Sequence, residues 1–253
     1  MTENPTACLI IIGNEILSGR TQDKNLAFLA QGLNSVGISL REVRVIPDIE
    51  STIIDTVNSC RKQFSYVFTT GGIGPTHDDI TTECIAKAFD VRLHRHPEAE
   101  RLLRHHYTPE QINESRLKMA DVPQGAMLIS NPVSAAPGFY LENVYVMAGV
   151  PRIMQAMFDS IKHTLVGGKP VLSLSITTNL PEGTLASDLT YISKTYPEVE
   201  IGSYPYFKQG TLSTTLVLRS TDELLIHDAA DDVRCMIDRL GGAVIAAPAG
   251  EGV

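Results

Sequence analysis

No stretch of this chain approaches the roughly 20 consecutive apolar residues that a membrane-spanning helix needs. The longest candidate, ACLIII at 7–12, is only strand-length, so no membrane partner is expected. The opening residues MTENPTA show no charged segment followed by an apolar one, and no export signal is legible there. Basic charge is scarce as well: 21 Lys and Arg stand against 29 Asp and Glu, a formal net charge of -8. That balance offers no basic face for gripping nucleic acid without regard to sequence. Cysteine is thinly spread. Cys8, Cys60, Cys84 and Cys235 lie far apart with no CxxC spacing, and three fall in apolar-periodic segments, which predicts reduced, buried thiols. Repeats and low-complexity tracts are also missing. Together these absences predict a soluble, cytoplasmic protein.

Apolar content is 43% over 253 residues, enough to build real cores and long enough for two domains. The first 70 residues alternate cleanly between two periods. ACLIII reads as a strand covered on both faces. Leu26, Leu29, Ala30, Leu33 and Val36 form one apolar stripe of a helix ending near Gly37. SLREVRVIP reads as a strand, Ile53, Ile54, Val57 and Cys60 mark a second helix, and YVFTT is a third strand. Strand–helix alternation with short connections predicts a parallel sheet covered by helices on both faces. A third helix carries Ile80, Cys84, Ile85, Ala88 and Phe89. Residues 92–125, polar and rich in His and Arg, read as an insertion lying against the sheet edge. AMLI, FYLE and VYVMA resume the core as strands, and a helix through Ile153, Met157 and Leu165 closes it. VGGKP at 166–170 predicts a domain boundary. Strand, helix, two strands and a helix follow, a small α+β unit with its hairpin turning at FKQG.

Chemistry concentrates in TTGGIGPTHDDIT, residues 69–81, between an apolar strand and an apolar helix. Such a turn leaves the carboxyl end of a parallel strand, where open α/β sheets bind ligands beside a helix N-terminus. Gly71, Gly72 and Gly74 permit unusual backbone angles and close approach of a phosphate. The pattern is GGxG, neither a dinucleotide fingerprint nor a P-loop. Asp78 or Asp79 serves equally well as an ordinary N-cap, although tandem acids beside His77 exceed what a cap requires. GNEILSGRTQDKN supplies Glu15 and Arg20 after the first strand, with Asp23 or Thr21 as a candidate helix cap; VIPDIES places Asp48 after the second strand, where capping is again the plain alternative. Glu15, Asp48, Asp78 and Asp79 all fall at strand ends on one rim. Carboxylates beside a phosphate-accepting turn require a divalent cation between them, and oxygen ligands suit Mg²⁺ or a similar metal. Thr76 shares the turn, and Asn131, Pro137 and Gly138 in SNPVSAAPGF belong to a loop suited to close ligand approach. AGVPRIM puts Pro151 in the first turn of a helix. His94, His96, His105 and His106 lack zinc-site spacing and read as a solvated face.

IIGNEILSGRTQDKN, VIPDIES, TTGGIGPTHDDIT, NPVSAAPGF and AGVPRIM, in that order, resemble the CinA N-terminal family, a branch of the molybdopterin-binding MoaB/Mog-like fold. IGSYPYF and TLVLR are similar to the KH-like domain that follows in that family. The resemblance implies a doubly wound, mostly parallel α/β/α domain over residues 1–167 and a small α+β domain over 171–253. A rim pocket would receive a nucleotide or pterin carrying phosphates, possible ligands including molybdopterin. Asp48 and Asp79 match the functional carboxylates of the Mog-type adenylation site, while CinA-like relatives imply metal-dependent hydrolysis of ADP-ribose or a similar diphosphate. In that scheme Asp48, Asp78 and Asp79 hold the metal, Glu15 shares it or acts as base, and Arg20 neutralises the leaving phosphate. A non-catalytic molybdopterin-binding module and a Mog-type adenylyltransferase remain the alternatives. Two departures favour a cation-bridged ligand: Ile73 stands where Mog-type enzymes carry threonine, and His77-Asp78 replaces their basic pair. The chain stops at Val253, so the amidohydrolase activity of longer CinA proteins is not expected. The segment 171–253 lacks a GxxG loop and carries only Lys194, Lys208, Arg219, Arg234 and Arg239 as fixed cations, which argues against RNA. The family's habit implies a homodimer or larger homo-oligomer.

Overall fold

ACLIII lies in strand β1 (Thr6–Ile12), whose pleat feeds two cores at once. Cys8, Ile10 and Ile12 face one layer, Ala7, Leu9 and Ile11 the other, and all are buried. A strand buried on both faces has no polar side to alternate with, hence the unbroken apolar run. The computed structural model describes residues 4–208 and 211–246, which divide into two compact units, Met1–Lys169 and Pro170–Val253.

In the first unit, β1 leads through α1 (Asn14–Leu17) and α2 (Asn25–Ser35) to β2 (Ser39–Ile46), then α3 (Glu50–Gln63), β3 (Tyr66–Thr70) and α4 (Thr81–Ala88). The polar insertion forms β4 (Leu93–Arg95), α5 (Pro97–His106), α6 (Glu114–Leu117), a 3-10 turn at Lys118–Ala120 and β5 (Asp121–Pro123). The chain then returns through β6 (Met127–Ile129), β7 (Gly138–Leu141), β8 (Val144–Met147) and α7 (Pro151–Ile161). The main sheet runs β2-β1-β3-β8-β7-β6. It is parallel from β2 to β8, while β7 and β6 join antiparallel. Helices α3 and α4 bury Ile53, Val57, Cys60, Cys84 and Ile85 on one face; α2 and α7 bury Leu29, Leu33, Met154 and Phe158 on the other. This is the doubly wound α/β architecture. Phe158 meets Phe28 and Phe68 edge-on, with ring centroids 6.2 and 6.0 Å away, a geometry that favours aromatic pairs beyond area burial. The insertion keeps a small core of Ala99, Leu103 and Ala120, against which Leu128 of edge strand β6 and Ala136 pack. Its strands β4 and β5 pair only with each other among the described residues.

The second unit contains β9 (Leu172–Thr178), α8 (Glu182–Thr195), β10 (Glu200–Lys208), β11 (Thr211–Ser220), α9 (Glu223–Arg239) and β12 (Val244–Ile245). Its sheet is antiparallel throughout, in the order β10-β11-β9-β12. Ile176, Leu185, Leu216, Leu218, Val233 and Ile237 form its core. Helix α9 starts where the Asp222 carboxylate accepts the Leu224 and Leu225 N–H groups at 2.9 and 3.1 Å, a side-chain cap that satisfies otherwise orphaned donors. The centre of the FKQG turn, 209–210, lies outside the described residues. Strand β12 has no counterpart in the sequence reading, because two residues cannot establish a period. No helix among the described residues is long and apolar enough to cross a membrane.

Candidate functional site

The chain passes from β1 to β2 on one side and then returns to β3 on the other. The carboxyl ends of β1 and β3 are therefore the switch point at which such sheets hold ligands. A pocket of about 630 Å³ opens there, within the usual size range of small-molecule sites. Glu15, Asp48, Asp78 and Asp79 all line it, Glu15 from the segment following β1, Asp48 from that following β2, and Asp78 and Asp79 from that following β3. No Lys or Arg is among its described lining residues.

The aspartates do not cap the helices that follow them. Helix α4 begins after Ile80 and α3 after Ile49, neither with a side-chain cap. Asp79 instead turns back: its Oδ2 accepts the Thr76 N–H at 2.9 Å and the Thr76 hydroxyl at 2.5 Å, closing a tight loop. Asp48 reaches sideways, its Oδ2 accepting the Asn14 N–H at 2.9 Å and tying the ends of β1 and β2 together. Asp78 is exposed, and hydrogen bonds from Thr76 and from its own backbone amide hold its carboxyl below the usual range. The Glu15 carboxylate lies against Gly13, where an added Cβ would meet both its oxygens at 2.6 Å. Asp23 does act as a cap, accepting the Asn25 and Leu26 N–H groups at 3.0 and 2.8 Å.

The glycine turn has an architectural cause, and the packed structure shows which contacts enforce it. Gly71 and Gly72 sit at φ +106° and +69°. A Cβ on Gly71 would lie 2.1 Å from the Ile12 carbonyl oxygen, and one on Gly72 2.1 Å from the Thr81 hydroxyl. A Cβ on Gly74 would meet Asp79 Oδ2 at 2.6 Å. Each of these missing side chains would strike protein. Of the two purposes expected of these glycines, unusual backbone angles and close approach of a phosphate, the first is what the turn itself requires. The hydroxyls of Thr69, Thr70 and Thr81 and the side-chain oxygen of Asn25 are buried without a hydrogen-bond partner. Three of these residues lie at this turn: Thr70 precedes Gly71, the Thr81 hydroxyl faces Gly72, and Asn25 Nδ2 donates to the carbonyl of Gly149, beside Gly71. Unpaired buried polar atoms are rare enough to mark a place where water or ligand completes the structure.

The remaining sequence candidates divide. Asn131 lines the pocket but is saturated: its Nδ2 donates to Ser134 Oγ and the Ala136 carbonyl, both at 2.7 Å, and its Oδ1 accepts the Val133 and Ser134 N–H groups. It shapes the loop. Thr76, Arg20, Pro137 and Gly138 are not lining residues. Thr76 holds Asp79, Arg20 is exposed, Pro137 is buried, and Gly138 opens β7 where a Cβ would meet the Val146 carbonyl at 2.5 Å. Tyr107 and Met119 do line the pocket, and neither is among the candidates the sequence offers. The one available signal was an aromatic residue standing alone in a polar insertion. His96 accepts the Glu98 N–H at 3.2 Å as the cap of α5.

Among the described residues no three His, Cys, Asp or Glu side chains converge in a way that could hold a metal ion. A cage built only from Asp48, Asp78 and Asp79 is thus not what this chain forms. The donor set suits a cation shared with ligand phosphates, since Mg²⁺ commonly takes one or two carboxylates and fills its shell with phosphate and water oxygens.

Residues 8–167 match the family described as probable molybdopterin binding domain, and residues 170–241 match the FAD synthase middle domain. The second match describes that unit as an FAD synthase middle domain and does not confirm the KH-like assignment expected for it. A Pyrobaculum calidifontis protein is 35% identical over 79% of this chain and 81% of its own length. A Caenorhabditis briggsae protein named probable FAD synthase is 29% identical over 86% of this chain, which spans 47% of that relative. The solved structure of CinA, a protein of unknown function from Thermoplasma acidophilum, is 32% identical, superposes with a TM-score of 0.61, and covers 64% of this chain and 99% of its own.

Proposed function

This chain belongs to the probable molybdopterin binding domain family, and from that premise we propose that its first unit hydrolyses the phosphoanhydride of a nucleotide diphosphate such as ADP-ribose or a dinucleotide, with a divalent cation. One observation carries the proposal: the pocket gathers Glu15, Asp48, Asp78 and Asp79 and no described Lys or Arg. A bare diphosphate in this place would be repelled, since like charges 4 Å apart interact by about 4 kcal/mol at an effective dielectric near 20. A cation shared between ligand and protein removes that conflict, and Asp48 and Asp79 are the residues that would hold it. When bound, it would polarise the phosphoryl oxygens and acidify water. The chain's own groups supply the rest. Thr76 and the Asn14 N–H fix the two aspartates, and Ile12, Ile73 and Met157 provide an apolar wall that limits water. Glu15 takes the proton as a water oxygen bonds to phosphorus and the bridging P–O bond breaks, leaving two monophosphates. The relatives named probable FAD synthase support a nucleotide-processing role for this type of chain.

Purified protein incubated with ADP-ribose, NAD and FAD, each with Mg²⁺, Mn²⁺ or Co²⁺ and with an EDTA control, tests the reading by chromatography of the monophosphate products. Metal-dependent release of AMP supports it; no turnover with any pair overturns it. The family description favours a second reading, a pterin-binding module without turnover, which tight binding without product would select.

A further inference from the structure

We propose that Tyr107 is the surface on which the flat ring of the pocket's ligand stacks, so that the insertion, rather than the glycine turn, distinguishes a ring-bearing ligand from a bare diphosphate. The inference rests on the reading of this pocket as a diphosphate site and adds its ring-recognition element. Tyr107 is the only aromatic residue among the described lining residues. The phosphate end of the pocket, with its carboxylates and glycines, offers a ring nothing to lie against.

The Tyr107 ring is held before any ligand arrives. Its backbone N–H donates to the Leu103 carbonyl at 2.9 Å, ending α5. The Arg116 guanidinium covers one ring face, 4.4 Å from the centroid. The His106 ring meets it edge-on, with centroids 4.9 Å apart and planes at 87°. Arg116 is itself anchored: its N–H donates to the Asn113 side chain at 2.9 Å, and its guanidinium donates to the Gln111 carbonyl. Tyr107 also packs against the insertion's core of Ala99, Leu103 and Ala120, and Arg116 is not a lining residue, so the part of the ring that lines the cavity is what the proposal assigns to the ligand. A ring fixed in this way loses little conformational freedom on binding.

The insertion is also tied to the phosphate end. Lys118 Nζ lies 3.2 Å from the Glu83 carboxylate and 3.4 Å from the Asp79 carbonyl, and the next residue, Met119, lines the pocket. Ring and diphosphate sites therefore keep a fixed offset. Purines, pterins and flavins all present a π-face, and removing an aromatic partner from a stacked base costs roughly ten- to hundredfold in affinity.

Isothermal titration calorimetry on the full chain with Mg²⁺ tests this, using ADP-ribose as the ring-bearing probe and inorganic pyrophosphate as the ring-free one. Tyr107→Ala is expected to weaken ADP-ribose about ten- to hundredfold and to leave pyrophosphate within about twofold, while Tyr107→Phe keeps both near wild type. Should Tyr107→Ala lower the melting temperature, Tyr107→Leu refills the space without a π-face and is expected to lose the same selectivity. Equal losses on both probes, no loss on ADP-ribose, or a wild-type protein that binds ADP-ribose no better than pyrophosphate overturns the proposal. Binding of ADP-ribose without turnover would sink the hydrolase reading while leaving this one intact.

Discussion

Gly72→Ala separates the two purposes a glycine turn can serve. At φ +69° an alanine pays about 1–2 kcal/mol for left-handed backbone. Its Cβ would also stand 2.1 Å from the Thr81 hydroxyl and 3.1 Å from Thr81 Cβ. Thr81 is fully buried in the first turn of α4 and cannot swing into open space, so relief demands a backbone shift worth about 1–3 kcal/mol. The sum, roughly 2–5 kcal/mol, is a large part of a domain's usual stability of about 5–15 kcal/mol. Thr81→Ala gives the control. Its hydroxyl has no hydrogen-bond partner, so the single change should cost only about 1 kcal/mol for the lost methyl. In the double variant the 2.1 Å clash with the hydroxyl is gone, leaving the closer-than-usual 3.1 Å approach to Cβ and the backbone part, a favourable coupling of about 1–3 kcal/mol in a double-mutant cycle. Urea melts of the four proteins measure this directly. If Gly72→Ala melts like wild type yet no longer binds ADP-ribose, the glycine serves the ligand alone and the reasoning fails.

Asp79→Asn and Asp48→Asn keep an oxygen that can accept the Thr76 or Asn14 N–H, so each should destabilise by less than about 1 kcal/mol; AMP release should fall at least ~100-fold, and unchanged turnover in both would remove the aspartates from the chemistry. Asn143 donates its Nδ2 to the Arg61 and Phe64 carbonyls, both at 3.0 Å, so Asn143→Ala should cost about 1–3 kcal/mol by thermal melt, and a melt within experimental scatter of wild type would show water replacing it. Burial, with Glu50 nearby, pushes the Cys84 thiol up to about 11 from 9.0. The folded thiol stays neutral while the unfolded one ionises, so stability present at neutral pH is lost as pH rises from about 9 to about 11, by up to about 2 kcal/mol. Cys84→Ala should flatten that part of the pH–stability curve, and an identical slope in the variant would refute the shift.

Local pattern was enough for the layers of the first unit. A continuously apolar β1 means burial on both faces, and the 3.6-residue stripes of α2, α3 and α7 name their core residues, because each signal depends only on neighbours along the chain. The same locality placed Glu15, Asp48, Asp78 and Asp79 at strand ends, and sheet order alone then made them share a pocket. What each carboxylate does there was not legible. Two of them look like helix caps in sequence, yet Asp48 hydrogen-bonds across 34 positions to Asn14, a partner determined by strand pairing rather than by spacing. The glycines illustrate the limit from the other side. Residue type announces a special backbone, but only the packed structure shows that the missing Cβ atoms of Gly71 and Gly72 would strike Ile12 and Thr81. Tyr107 was hidden most completely. Nothing in a polar stretch of 92–125 indicates a destination, and its place on the pocket wall follows from how the insertion's small core of Ala99, Leu103 and Ala120 docks on Leu128 and Ala136. Sequence by itself determined the periods, and with them which elements form and which residues they bury. Tertiary structure decided which loops meet, because that depends on strand order and docking between segments distant along the chain.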